Sequence, residues 1–131
     1  MEEGTKYDGG KPRIGEMLQD FAEPLYEVTK AWEYGAQKYE ERNWRKVDDG
    51  VRRYTNALLR HILAEEINPV DDESHLLHAT HVAWNALARL WFILQEKPSY
   101  KDYINDFFGC NKVYLDKDIH TTKAGDINII E

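Results

Sequence analysis

"HLLHATHVAWNALARLWFILQE", residues 75–96, is the segment whose reading decides the fold. Wound at about 100° per residue, Leu76, Leu77, Val82, Ala83, Trp84, Leu87, Leu90, Trp91 and Leu94 cover most of the circumference. His75, His78, His81, Asn85 and Arg89 fall in one narrow sector between them. So long an apolar rod reads as a helix from about 74 to 96, ended by Lys97-Pro98. Its polar line is either the solvent face of an amphipathic helix or a site. Solvent faces favour Lys and Glu over His and Asn, so the composition leaves both readings open.

Working outward, "INPVDDES" stops one helix and starts the next. Upstream of it, Tyr54, Leu58, His61 and Glu65 share a stripe, which predicts a helix over about 51–66. Phe21, Leu25, Val28, Trp32, Ala36 and Tyr39 step by three or four and predict another over about 22–41, with Pro24 in its first turn and Tyr39 in the core. Between these two, the acidic pair Asp48-Asp49 is suited to capping. Residues 1–20 lack periodicity and read as an extended arm with a turn at Asp8-Gly9-Gly10. The tail from 99 is expected to hold a short helix near 100–108 and irregular segments. Helices, short connections and no convincing strand pair give an all-α, antiparallel helical bundle.

The chain has 131 residues, enough for one modest core. A formal charge of -7 leaves no broad basic surface and argues against polymeric nucleic acid as a partner. A lone Cys110 excludes an internal disulfide, and no apolar run is long enough for a membrane span. The expectation is a soluble protein of the cytoplasm. Trp32, Trp84 and Trp91 with their aliphatic neighbours offer more apolar surface than so small a bundle covers, which predicts a homodimer or homotetramer.

For chemistry, His61 and Glu65 lie one turn apart where the second helix meets another. Together with His78 and His81 they could hold a divalent cation or a phosphate. Arg53, Arg60 and Arg89 could add bidentate positive charge. The chain lacks the Glu-x-x-His pairs of di-iron bundles, His-Glu-x-x-His, an adjacent His-Asp pair and Gly-x-Ser-x-Gly. Asp71, Asp72 and Glu73 crowd beside Glu65 and Glu66, and five acids repel unless a cation sits among them. Asp72 also stands at the expected start of the last core helix, where it could serve as a cap.

"KYDGGKPR" (6–13), "YGAQKYEERNW" (34–44), "ALLRHILA" (57–64) and "DDES" (71–74) followed by "HATHVAWNAL" (78–87) resemble the phage dATP/dGTP diphosphohydrolase N-terminal family, which is similar to the MazG-like all-α nucleoside triphosphate pyrophosphohydrolases. The resemblance covers about residues 6–95. It implies residues 1–98 as a MazG-like hydrolase domain with an N-terminal arm, and 99–131 as a C-terminal extension. It also implies cleavage of dGTP or dATP to the monophosphate and pyrophosphate with Mg²⁺ or Mn²⁺, in the cytoplasm of an infected host. In some phages such enzymes look like part of 2-aminoadenine nucleotide metabolism.

MazG-like proteins typically present Glu-x-x-Glu and Glu-x-x-Asp pairs, and this chain has neither; His78-x-x-His81 stands where the second pair belongs. Either Glu65, Glu66, Asp71 or Asp72 holds the ion, or His61, His78 and His81 contact metal or phosphate. Glu65, His78 or His81 is expected to take the attacking water's proton. On the same resemblance, Lys6, Lys11 and Arg13 are expected to reach the phosphates, with Arg60 as a further cation, Lys38 and Asn43 the phosphate or base, and Trp44 to stack on the purine, as would Tyr39 if it is not core. The missing carboxylate pairs favour an alternative, a catalytically silent helical module that binds a nucleotide or a protein.

Overall fold

The structure, a computed structural model, describes residues 2–96. The short helix expected near 100–108 lies outside these residues. Among the described residues the chain is all-helical: α1 (Ile14–Asp20), α2 (Ala22–Lys38), a 3-10 turn (Asn43–Lys46), α3 (Gly50–Glu65) and α4 (His78–Glu96). The one β-type pairing among them is an isolated bridge between Val70 and Leu77.

Residues 2–14 belong to a different compact unit from Gly15–Pro98. Up to Arg13 they form no helix or strand, and the expected turn is present, where the Lys11 N–H donates to the Asp8 carbonyl at 3.1 Å and Gly10 takes φ 79. That backbone angle suits a residue without a Cβ. The arm ends earlier than its lack of periodicity suggests, because Ile14, Met17 and Leu18 keep helical spacing within α1 and Phe21 continues it just beyond the helix. All four are exposed, so this helix gains little from burial. The Leu25 N–H bonds the Phe21 carbonyl at 2.9 Å and carries the chain into α2.

α2 buries Ala31. Tyr39, expected in the core, is instead the C-cap of α2 and 63% exposed. The stripe ends with the helix. Asp49 precedes α3 at φ 54 without a side-chain cap bond; its carboxylate accepts from Arg52 Nε instead.

The expected helix start at Ser74 is also displaced, to His78. The Asp71 N–H donates to the Leu76 carbonyl and the His75 N–H to the Asp71 carbonyl, each at 2.8 Å. These bonds close a tight loop, with His75 at φ 63, before the helix can begin. The His78 N–H then bonds the Pro69 carbonyl at 2.9 Å. Asp72 is therefore exposed in the loop and caps nothing at the start of α4.

α3 and α4 run antiparallel. His61 near the end of α3 meets His78 at the start of α4, whereas Tyr54, near the start of α3, stacks on Phe92 at 5.7 Å. The inward stripe of α4 is His78, His81, Asn85, Ala88 and Phe92, all buried. The polar sector thus faces the other helices, and its solvent-face reading is corrected. Only its ends escape: His75 precedes the helix, and Arg89 is exposed and donates to Thr55 Oγ1 at 2.7 Å. Much of the apolar remainder points outward, with Leu87 and Leu90 about half exposed.

At the far end of the helix pair, Trp44 makes edge contacts with Trp84, Trp91 and Phe92. Gly50 is buried against Phe92, and a Cβ there would lie 2.5 Å from Phe92 Cγ. Gly50→Ala is expected to destabilise the protein by about 1–3 kcal/mol through this overpacking, outweighing the better helix propensity of alanine, about 1 kcal/mol. Urea denaturation measures it; a variant as stable as the parent would mean the ring moves aside freely.

Candidate functional site

At the other end of the helix pair, three histidines converge. His61 on α3 lies with its Nδ1 2.9 Å from His78 Nδ1. Its ring stacks on His81 at 4.5 Å with 11° between planes. Tyr34 of α2 meets His81 edge-on at 6.2 Å. His78 and His81 are each 7% exposed, and buried polar groups of this kind need partners.

His61 is the partner of His78, and the loop before α4 supplies that of His81. Ser74 Oγ lies 2.7 Å from Asp71 Oδ2 and 2.7 Å from His81 Nε2, and the Ser74 N–H donates to the same Asp71 oxygen at 3.0 Å. Asn85, one turn below, donates its Nδ2–H to the His81 carbonyl at 2.7 Å. Burial alone would raise the Asp71 carboxyl, but the Ser74 hydroxyl and N–H, with His81 and His61, hold it below its ordinary range.

His61, Asp71 and His78 offer ligand atoms that all lie within 4.8 Å of one another. Two nitrogens about 2.1 Å from one ion, at right angles, are themselves about 3 Å apart. The His61–His78 separation therefore fits either one N–H···N bond or two bare nitrogens on a shared cation. Two imidazoles and one carboxylate suit Mn²⁺ and later divalent ions better than Mg²⁺, which prefers oxygen.

A cavity of about 820 Å³ opens beside this group. Lys38, Asn43, Trp44, Arg60, His61, His78 and His81, all singled out from sequence, line it, as do Tyr39, Arg53, Asp71 and Glu73. Glu65 and Glu66 are exposed at the end of α3 and are not among its walls. Asp72 is exposed and lines a smaller hollow of about 250 Å³ together with Asp71 and His78. Lys6, Lys11 and Arg13 are exposed in the arm.

Two of the crowded acids take separate partners, Asp71 with Ser74 and Glu73 with Lys38. Glu73 accepts from Lys38 Nζ at 2.6 Å, tying the loop to α2. That bond raises the Lys38 pKa, and the same bond, with another from Tyr34, lowers that of Glu73. Ser74 and Tyr34 were not singled out from sequence. The Asp71-x-x-Ser74 spacing, which lets a carboxylate accept from both the N–H and the hydroxyl three residues on, was the available signal for Ser74.

A family model described as dATP/dGTP diphosphohydrolase, N-terminal, matches residues 1–102. A protein of Salmonella phage PMBT28 named dATP/dGTP diphosphohydrolase is 34% identical over 100 residues, which cover 76% of this chain and 32% of that protein. The chain therefore matches about a third of the length of that relative. No solved structure matches it.

Both His61 and His81 hold a proton less readily than a free imidazole at 6.5, chiefly through burial. Below pH 6.5 the unfolded chain takes up protons that the folded protein resists, so stability rises with pH through this window and falls on acidification. In metal-free protein the urea midpoint is expected to drop between pH 7 and 5, with the Asp71 contribution lost only below its ordinary 3.8. The drop should shrink in a His61→Gln/His81→Gln variant; equal slopes in parent and variant would contradict the assignment.

Proposed function

The chain belongs to the dATP/dGTP diphosphohydrolase N-terminal family, and from that premise we propose that it hydrolyses purine deoxynucleoside triphosphates, dGTP or dATP, to the monophosphate and pyrophosphate. The observation that carries this reading is the junction of a His-His-Asp ligand group with a cavity lined by Lys38, Arg53 and Arg60. Its volume lies in the range of small-molecule sites, roughly 300–1,000 Å³.

His61, Asp71 and His78 hold a divalent cation, with Mn²⁺ favoured by the imidazoles and Mg²⁺ the alternative. When bound, the cation neutralises charge on the phosphate oxygens and makes water a better nucleophile. Arg60 and Lys38 hold the phosphates, the guanidinium pairing with two oxygens at once. Asn43 offers hydrogen bonds, and Trp44 and Tyr39 offer ring surface to the base. With His61 and His78 engaged as ligands, His81 is the imidazole left to accept the water's proton. Burial favours its neutral, proton-accepting form. Glu65, the other candidate, does not line the cavity. Lys6, Lys11 and Arg13 are phosphate-binding candidates by the family resemblance alone.

On this reading residues 1–98 are a MazG-like domain with an N-terminal arm, and the domain assembles as a homodimer or homotetramer. Leu59, Ile62 and Leu63 on α3 and Leu87 and Leu90 on α4 support it: they are 39–70% exposed, an apolar surface more suited to another chain than to water. A role in 2-aminoadenine nucleotide metabolism in a phage-infected cytoplasm accords with the family; among the described residues no helix is long and apolar enough to cross a membrane.

Purified protein incubated with each dNTP and Mn²⁺ is expected to release pyrophosphate and monophosphate, dGTP and dATP fastest. His78→Ala should abolish this or raise the required Mn²⁺ by an order of magnitude or more. Equal inertness toward all four dNTPs, with tight nucleotide binding, would instead favour a silent binding module. Light scattering should give a multiple of the 15.4 kDa chain mass.

A further inference from the structure

The hydrogen-bond chain from His81 to Asp71 has a direction that can be worked out. An ionised carboxylate only accepts, whereas a serine hydroxyl has one proton to give and two lone pairs. Asp71 Oδ2 and Ser74 Oγ, at 2.7 Å, need a proton between them, and the hydroxyl is its source. Ser74 has then spent its donor. The 2.7 Å contact to His81 must run the other way, from an Nε2–H to the hydroxyl oxygen. The Leu76 N–H, at 3.3 Å, takes the second lone pair and leaves Ser74 saturated. His81 Nε2 also lies 3.6 Å from the same Asp71 oxygen, consistent with a proton on that nitrogen.

We propose that Ser74 is a positioning residue: it fixes His81 as the Nε2–H tautomer, with Nδ1 the bare nitrogen, and at the same time aims the Asp71 carboxylate. One hydroxyl thus sets both the residue left to accept a proton and the only carboxylate in the ligand group. Among the described residues, the hydrogen bonds accepted by Asp71's side chain end on Oδ2. Oδ1 is left for a cation. This inference rests on the functional reading above for its catalytic meaning, but the tautomer is a property of the protein alone.

Two measurements test it. In ¹⁵N-labelled, metal-free protein at pH 8, long-range ¹H–¹⁵N correlation reports each imidazole's tautomer, and a His81→Gln variant assigns the signals. The parent is expected to show His81 as Nε2–H; an Nδ1–H ring would overturn the proposal even if Ser74 variants fail to fold. Ser74→Ala should mix the two tautomers and weaken Mn²⁺ binding, followed by electron paramagnetic resonance, by about tenfold or more, the usual effect of losing a partner that orients a metal ligand. Ser74→Thr, which keeps the hydroxyl, should restore both. An alanine variant with unchanged tautomer and unchanged Mn²⁺ affinity would also refute it. If the parent binds no Mn²⁺, the cation reading fails, and the tautomer alone decides the role of Ser74.

Discussion

The inward stripe of α4 imposes the constraint on which the rest depends. It begins with His78 and His81, passes through Asn85 and ends with Ala88 and Phe92. A buried polar group without a partner costs about 1–3 kcal/mol, so the upper half of this stripe demands donors and acceptors and the lower half demands close packing. The neighbours divide accordingly. His61, Asp71, Ser74 and Tyr34 gather at the histidine end, while Gly50, Tyr54 and Trp44 close on Phe92. The family's activity, as proposed, uses the end where polarity had to be satisfied in any case.

α2 joins both demands. Ala31 allows close approach, Tyr34 reaches the edge of His81, and Lys38 grips Glu73 in the loop before α4. The Lys38–Glu73 pair is exposed and adds little stability at that location. Its effect is geometric, because it fixes the loop that carries Asp71 and Ser74.

α2 and α4 were legible in the sequence because each holds a long apolar stripe at helical spacing, and α3 because Tyr54, Leu58, His61 and Glu65 keep the same spacing although two of them are polar. α1 was not, since about two exposed turns that include Gly15 give too short a pattern. The polar sector of α4 was legible as a sector, but not its direction. Periodicity defines a stripe without saying which side meets the neighbouring helix, and here the apolar excess lies largely outside. Tyr39 continued the pattern of α2 one residue past the end of the helix, where spacing no longer implies burial. Histidine spacing brought His61, His78 and His81 forward correctly as neighbours, whereas Lys38 and Asn43 entered through family resemblance. Asp71 was one acid among five, and only the folded loop separates it from Asp72, because the choice depends on a tight turn that propensity does not encode.

The loop between α3 and α4 also bears on how the molecule assembles. His61, Asp71, Ser74, His78 and His81 all fall between residues 61 and 81, and the loop between them is closed by its own backbone bonds. Bringing such near neighbours together costs little loop-closure entropy, and contacts of short sequence separation form early and fast. The candidate ligand group is thus a product of one helical hairpin, and Arg53 and Arg60 on α3 belong to the same hairpin, while Lys38 joins the cavity only when α2 docks. The hairpin carries the candidate ligands and most of the surrounding cations together, and α2 closes the cavity over them.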